Sequence, residues 1–329
     1  MPGKKKTQYD WKVYNKQLVE RGKRLAFNLS NLGKYTKEYW EQELEEMNFC
    51  KEGRRFLFPN SQIVFLLIMR AAFNINSYRN LSGLATMFFD RVPDFTDIHK
   101  RIKKLPTKAI SRINGEVTKA KTKGRRVEIS LDGTGVQING KYVWYDKKHN
   151  KGKVRKRDWK KLNIAIDTET RQILGIKVLG KDENEGSHEN TADIMDDVFG
   201  NIDRSSEITR VRGDGGYDNE DNFRFFEFLG IEPIIRIRKT SRRKAEWMSR
   251  SLRTKKRRKF FEKKRNRVAL EQFDWEKYVE ESGYGKRGGI EGIIGSFKRF
   301  FGERLFSKLD PMIVREILTR VLVWNVIVC

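Results

Sequence analysis

The sequence predicts an α/β fold with a mixed sheet: a mostly helical region over residues 1–122, then a second domain, 123–329, with helices on the faces of that sheet. Three observations predict it. Apolar residues recur at helical spacing up to about residue 122, and after residue 124 they alternate with polar ones. Several strand-like runs then follow in succession before helices and strands begin to alternate, which is the order of a mixed sheet. A chain of 329 residues is long enough for about two such units.

In the first region SQIVFLLIMRAAF (61–73) is an almost unbroken apolar helix with Ser61 as its expected cap, so it belongs to a core. Thr96 is expected to cap a second helix in which Ile98, Ile102 and Leu105 share one face, leaving His99, Lys100, Arg101, Lys103 and Lys104 outward. NLSGLATMFF (80–89) is its expected partner across the turn at Pro93. Together they would form a helix-turn-helix over about 80–106 that lies on DNA. An amphipathic helix with a solvated basic face explains the same pattern equally well.

In VEISLD (127–132), Val127, Ile129 and Leu131 fall on one face and Glu128, Ser130 and Asp132 on the other, as in a half-buried strand. KYVWYD (141–146), KLNIAIDTE (161–169) and RQILGIKVLG (171–180) continue the sheet. Turn signals at Asn139-Gly140 and over 167–171 suggest an antiparallel meander. A helix fits 190–199, a strand 208–214, a helix ending at Gly230, and a strand 232–238. Over 310–324, Asp310 reads as a cap and Pro311 as the first turn of a helix covering the sheet.

Lys and Arg total 70 against 44 Asp and Glu, a formal charge of +26, so the expected partner is a polyanion. Residues 239–267 hold 15 Lys or Arg, among them Lys255, Lys256, Arg257 and Arg258, against two acids, Glu246 and Glu262. Residues 239–267, within a basic insertion of about 239–275, therefore carry half of the net charge, and Trp247, Phe260 and Phe261 interrupt them. Tracking of a phosphate backbone is the preferred reading over a solvated helix. Cys50 and Cys329 are too few for a disulfide framework or zinc cage, which fits a reducing, cytoplasmic setting. The start, MPGKKKTQYD, lacks the apolar stretch of a secretory signal, and LVWNVIVC is too short to span a bilayer, so no membrane partner is expected. His99, His149 and His188 are scattered, and no phosphate loop with a following Lys-Ser/Thr occurs, so no nucleotide cofactor is indicated.

Two acids stand where a sheet would present them to a cleft: Asp132, expected to end its strand before Gly-Thr-Gly, and Asp214, ending another before Gly-Gly. Glycine after an acid removes bulk and lets a phosphodiester approach. Side by side, the two carboxylates would raise one another's pKa, a conflict that hard divalent ions such as Mg²⁺ or Mn²⁺ resolve. Two such ions stabilise both the attacking and the leaving oxygen of a phosphoryl transfer. A cap or turn role for each Asp is the ordinary alternative. In SGYGKRGGIEGIIGSFKRF (282–300), Tyr284, Arg287, Glu291 and Lys298 fall on one narrow helical stripe, unless the glycines keep Tyr284 and Arg287 in the loop leading in. An acid there completes a metal site, and the cations grip phosphates on either side of it.

That spacing, Y-x2-R-x3-E-x6-K, resembles the signature of the DDE transposases of prokaryotic insertion sequences, and Asp132 in SLDGTG and Asp214 in RGDGGYD complete the D…D…E order. DWKVYNKQLVERG (10–22) also looks like the amino-terminal segment of the subgroup with a helical DNA-binding domain. The resemblance implies an RNase-H-like catalytic core with Asp132 on the first strand, Asp214 after the fourth and Glu291 on a later helix. It implies that these acids hold two Mg²⁺ ions, with Mn²⁺ as a substitute, and that Tyr284, Arg287 and Lys298 contact DNA phosphates. The partners would be double-stranded DNA, namely terminal inverted repeats and target. A homodimer is expected, since both ends must be held together. By geometry alone, Asp218 is an alternative to Asp214. His188 and Glu189 would support the site or merely adjoin a helix capped by Ser187 or Asn190. Trp144, Trp159, Trp247 and Trp324 would stack on flipped bases or, more ordinarily, pack in cores. Two rival functions are a metal-dependent nuclease without strand transfer and an inactive transposase-derived DNA-binding protein.

Overall fold

A computed structural model describes residues 40–138, 159–180 and 183–328. The expected strand 141–146 with Trp144, the Asn139-Gly140 turn and the segment 10–22 lie outside them. Strands β1 (Arg126–Ile138), β2 (Trp159–Asp167), β3 (Ile173–Leu179), β4 (Glu207–Gly213) and β5 (Glu232–Ile235) lie in the order β3-β2-β1-β4-β5. A short β6 (Arg304–Leu305) pairs with the end of β1. The first three strands pair antiparallel, β2 with β3 across the expected turn at 167–171, while β4 and β5 join in parallel. A mixed sheet preceded by helices is the predicted α/β fold.

Alternation along β1 divides the core. Val127, Ile129 and Leu131 are fully buried with α6 (His188–Asn201) and α7 (Glu220–Phe228) on one face of the sheet. The opposite face carries Val136, Leu162, Ile164 and Ile166 and is covered by α12 (Gly288–Phe301) and α13 (Asp310–Val328). Into that second cluster also pack α2 (Asn60–Ala72), α4 (Phe95–Lys104) and α5 (Thr107–Thr122), so the described amino-terminal helices share their core with the sheet. Along α4, Ile98, Ile102 and Leu105 are buried as the spacing predicts.

Several local expectations are corrected by partners that come from far along the chain. Ser61 lies inside α2, and the first amides of that helix are satisfied instead by Glu43, which accepts from Asn60 N at 3.1 Å and Ser61 N at 3.1 Å. Asp94, not Thr96, caps α4, accepting from Thr96 N at 2.8 Å. Helix α3 (Tyr78–Ala85) and α4 are joined by residues 86–94, a longer connection than the roughly three- or four-residue turn of a helix-turn-helix. Asp132 does not end its strand, because β1 runs on to Ile138 and pairs Asp132 with Ile164. Trp324 is core, donating to Arg171 O at 3.1 Å, whereas Trp159 and Trp247 are about half exposed.

Asn325 of α13 holds the edge of the sheet. Its amide accepts from Ile173 N at 2.8 Å and donates to Ile173 O at 2.8 Å and Asn114 Oδ1 at 2.8 Å, all in the interior. An apolar replacement strands these buried groups, so Asn325→Leu is expected to destabilise the fold by about 2–4 kcal/mol in denaturant unfolding.

Candidate active site

Glu128, Ser130 and Asp132 project from one face of β1, and β4 runs parallel beside them with Arg212 opposite Ser130. Asp214 follows directly after β4, where its carboxylate caps the turn Gly215–Tyr217 by accepting from Gly216 N at 2.8 Å. Glu291 stands in the first turn of α12. Three chain segments thus deliver three acids, and all three meet Arg287, the residue that precedes α12. Its Nη2 lies 3.5 Å from Asp132 Oδ1 and 3.9 Å from Asp214 Oδ2, and its Nη1 lies 3.7 Å from Glu291 Oε1. Each distance exceeds the roughly 2.7–2.9 Å of a tight charge-assisted hydrogen bond, so the guanidinium is shared by the acids and not fixed on one. Arg287 Nε is buried without a partner.

The electrostatics of the two acids on β1 differ sharply. Burial pushes the Asp132 carboxyl above its ordinary value, with Asp214 and Glu291 adding to the rise, against the pull of Arg287 and of the Gly133 amide. Burial acts on Glu128 in the same sense, but Arg212, Lys286 and Arg210 outweigh it and hold that carboxyl low. Arg212 is 0% exposed; its Nη2 stands 3.0 Å from Glu128 Oε2 and its Nε donates to Gly283 O at 3.2 Å. Lys286 Nζ is 3.5 Å from the same carboxylate. Glu128 and Arg212 therefore tie the turn carrying Tyr284 and Arg287 to the two strands that carry the aspartates. Sequence reasoning passed over both, although Glu128 lies on the Asp132 face of the same strand and Arg212 is two residues before Asp214.

The turn leading into α12 is a 3-10 turn, Tyr284–Arg287, so only Glu291 and Lys298 of the signature share the α-helix. Tyr284 meets Trp275 edge-on at 5.1 Å, and Lys298 is half-buried. Gly133 does not leave room beside Asp132, because a Cβ there would lie 1.9 Å from Glu185 Oε2. The Glu185 carboxylate, paired with Lys161 at 3.0 Å, fills that space. Gly186 is equally constrained: its Cβ would lie 1.8 Å from Gly216 O, which seats the loop before α6 on the turn after Asp214. Buried Tyr217, its phenol raised well above the ordinary value by burial and by Glu185, Asp132 and Asp214, donates to Asn163 Oδ1 at 2.6 Å beneath that turn.

Asp218 is not an alternative to Asp214. Its side chain is 1% exposed and accepts from Arg265 Nε at 2.6 Å and Nη2 at 2.8 Å, clamping the basic segment to the turn that follows β4. Ser187 caps α6, Glu189 is exposed in its first turn, and His188 packs edge-on against Phe225 at 5.4 Å, so the capping account of GSHENTAD is the one the geometry supports. The basic segment folds as α8 (Lys239–Ser249), α9 (Lys255–Phe260) and α10 (Lys264–Glu271), with Ala245, Met248, Val268 and Ala269 buried. Lys255, Lys256 and Arg258 are exposed, whereas Arg257 lies over the Trp247 ring at 4.6 Å and donates to Ser251 O. On α4, Lys100, Lys103 and Lys104 are exposed, but Arg101 donates to Phe58 O and Asn60 Oδ1, stapling α4 to the start of α2.

Residues 123–326, more than half of the chain, match the family model of the transposase DDE domain. The chain belongs to the DDE transposase family. It is a transposase by family, with DNA as its substrate. Among the described residues no helix is long and apolar enough to cross a membrane. DDE transposases in general use divalent metal ions. Among the described residues no three His, Cys, Asp or Glu lie close enough together to hold an ion as they stand. The donor chemistry nevertheless fits, since Asp132, Asp214 and Glu291 offer only carboxylate oxygens, the preference of hard cations, and all surround one point of positive charge.

A raised Asp132 carboxyl has a consequence for stability. The folded state binds this proton more tightly than the unfolded chain, so the contribution is favourable at acid pH and is lost as pH rises through the folded-state pKa. Asp132→Asn is therefore expected to melt above the parent protein at neutral pH in chelator, with the difference vanishing below the ordinary carboxylate range; thermal denaturation across pH measures it.

Proposed function

We propose that the protein binds the terminal inverted repeats of an insertion sequence, cuts the DNA there and joins the freed ends to a target, with Asp132, Asp214 and Glu291 as its catalytic acids. The observation that carries this reading is the meeting of the three, from β1, the end of β4 and α12, around Arg287. They would hold Mg²⁺, with Mn²⁺ as a substitute, two ions per site; the ions supply Lewis-acid stabilisation of the attacking and leaving oxygens. Asp132 and Asp214 bind and orient from the sheet edge, and Glu291, 69% exposed on its side chain, closes the set from the helix. Arg287 would offer its donors to the scissile phosphate, with Tyr284 and Lys298 gripping phosphates on either side.

The face of α12 supports close approach of DNA. Gly288, Gly289, Gly292 and Gly295 would each meet nothing if given a Cβ, so packing does not require them. Each costs the helix about 1 kcal/mol relative to Ala. Their effect is to leave the backbone beside Glu291 bare. Lys100, Lys103 and Lys104 of α4 would contact the repeat, and Lys255, Lys256 and Arg258 would track its phosphates. Because two ends must be joined in one assembly, the working form is a homodimer on DNA, associated with the nucleoid.

A supercoiled plasmid carrying the flanking repeats tests the reaction. Metal-dependent cuts at the repeat ends are expected, with Glu291→Gln reducing them by more than about a thousandfold while binding to the repeat is nearly unchanged. Cuts without joining of a labelled precut end would identify a nuclease instead, and binding without cutting in either metal an inactive descendant.

Deleting the basic segment would also remove Ala245, Met248 and the Arg265 clamp, so point substitutions are the cleaner probe. Replacing Lys255, Lys256 and Arg258 together by Ala is expected to flatten the slope of log K against log salt by roughly 0.9 for each phosphate that the side chains no longer neutralise. A salt titration of repeat binding measures this, and an unchanged slope removes α9 from the interface.

A further inference from the structure

We infer that Arg236, Arg238 and Arg242 form a phosphate subsite for the nucleotides adjoining the scissile bond on the cleaved strand. The inference rests on the proposed catalytic reading of Asp214. Beside that residue opens a cleft of about 520 Å³ lined by Asp214, Arg236, Arg238, Lys239, Arg242 and Tyr284 among others. The chain pattern explains how the arginines arrive there. Strand alternation continues past β5: Ile235 and Ile237 are buried, leaving Arg236 and Arg238 exposed. Arg236 N donates to Gly213 O at 3.3 Å, which places Arg236 next to the residue before Asp214.

The mounting of these cations is built, not incidental. The guanidinium groups of Arg236 and Arg242 lie 5.2 and 5.0 Å from the centroid of the Trp275 ring. Arg242 is only 9% exposed; its Nη1 donates to Gln272 O at 3.0 Å, and its Nε is buried without a partner. Burial, with the nearby charge of Arg236, holds the Arg242 pKa below its ordinary value, so like charges are crowded here at a cost. Among the described residues no carboxylate forms an ion pair with Arg236, Arg238, Lys239 or Arg242. At the same place α8 begins with no side-chain cap and no acid in its first turn, adding the positive end of a helix. Closely spaced anions continuing from a phosphodiester held at Asp214 satisfy this arrangement, and successive phosphates of one strand have that form.

The experiment uses the full chain and a duplex of the flanking repeat cut at its end, with binding read by fluorescence anisotropy in chelator, so that no cutting is needed. Single neutral methylphosphonate linkages replace, one at a time, the first three phosphates from the cut on each strand. The wild-type protein is expected to lose about tenfold in Kd when a linkage next to the cut on the cleaved strand is neutral. The double variant Arg236→Ala/Arg238→Ala, both residues being exposed, should bind weakly from the outset and show no further loss at that linkage. Arg236→Lys/Arg238→Lys should recover part of the affinity. Multiplicative losses from variant and linkage, sensitivity confined to the opposite strand, or indifference of the wild type to every linkage would each overturn the subsite. Failure of the catalytic reading is seen separately, in the plasmid assay.

Discussion

Three carboxylates gathered at one end of a sheet repel one another, and the shared guanidinium of Arg287 is what allows the chain to hold them there. Asp214 and Glu291 both push the Asp132 carboxyl up, so the arrangement calls for a cation within reach of all three. Arg287 meets that need at 3.5–3.9 Å from the acids. Its position is in turn inherited from buried Arg212, which links Glu128 on β1 to Gly283 ahead of the turn. The order of dependence thus runs from strand pairing to Arg212, from Arg212 to the turn, and from the turn to the acids. A loose three-way arrangement is also the kind that a competing ligand can rearrange at low cost, since no single tight bond has to be broken.

The parts of this structure that were legible in the sequence are those governed by periodicity and by spacing along one segment. Val127, Ile129 and Leu131 alternate, and they are buried on one face. Ile98, Ile102 and Leu105 recur at helical spacing, and they face the core. Glu291 and Lys298 share a helix as their spacing suggested, and β2 pairs antiparallel with β3 across the turn signal at 167–171. Where a residue's partner lies far along the chain, local reasoning chose the nearest candidate and missed. Ser61 looked like a cap, but Glu43 supplies the carboxylate. Arg101 looked like a DNA contact, but its donors go to Phe58 and Asn60. Gly133 looked like an opening for substrate, but Glu185 occupies the space. Asp218 and Asp214 are alike on paper, and only the bidentate grip of Arg265 separates their roles.

The basic segment shows the same limit from the other side. Charge alone says that 239–267 is repelled by itself and attracted to a polyanion. It does not say that the segment folds as three short helices whose apolar residues complete a core, or that one of its arginines is used inwardly as a clamp on Asp218. The placement matters more than the total charge. Exposed lysines on α9 act as a diffuse field that salt screens, whereas Arg236 and Arg242 are held against Trp275 close to Asp214. On the proposed reading, the first kind would contribute affinity for any duplex and the second would contribute position.

Several features that cost the isolated protein stability lie at this end of the sheet. Asp132 is buried with its carboxyl pushed up, Arg242 is crowded by Arg236, Arg287 Nε and Arg242 Nε lack partners, and four glycines weaken α12 where nothing demands their smallness. Under the proposed function they would share one remedy: a phosphodiester backbone would accept the hydrogen bonds, neutralise the arginines and fill the bare helix face, and bound cations would neutralise the acids. The stability that this end of the fold forgoes when alone would then be returned on binding DNA, favouring a bound polyanion over solvent.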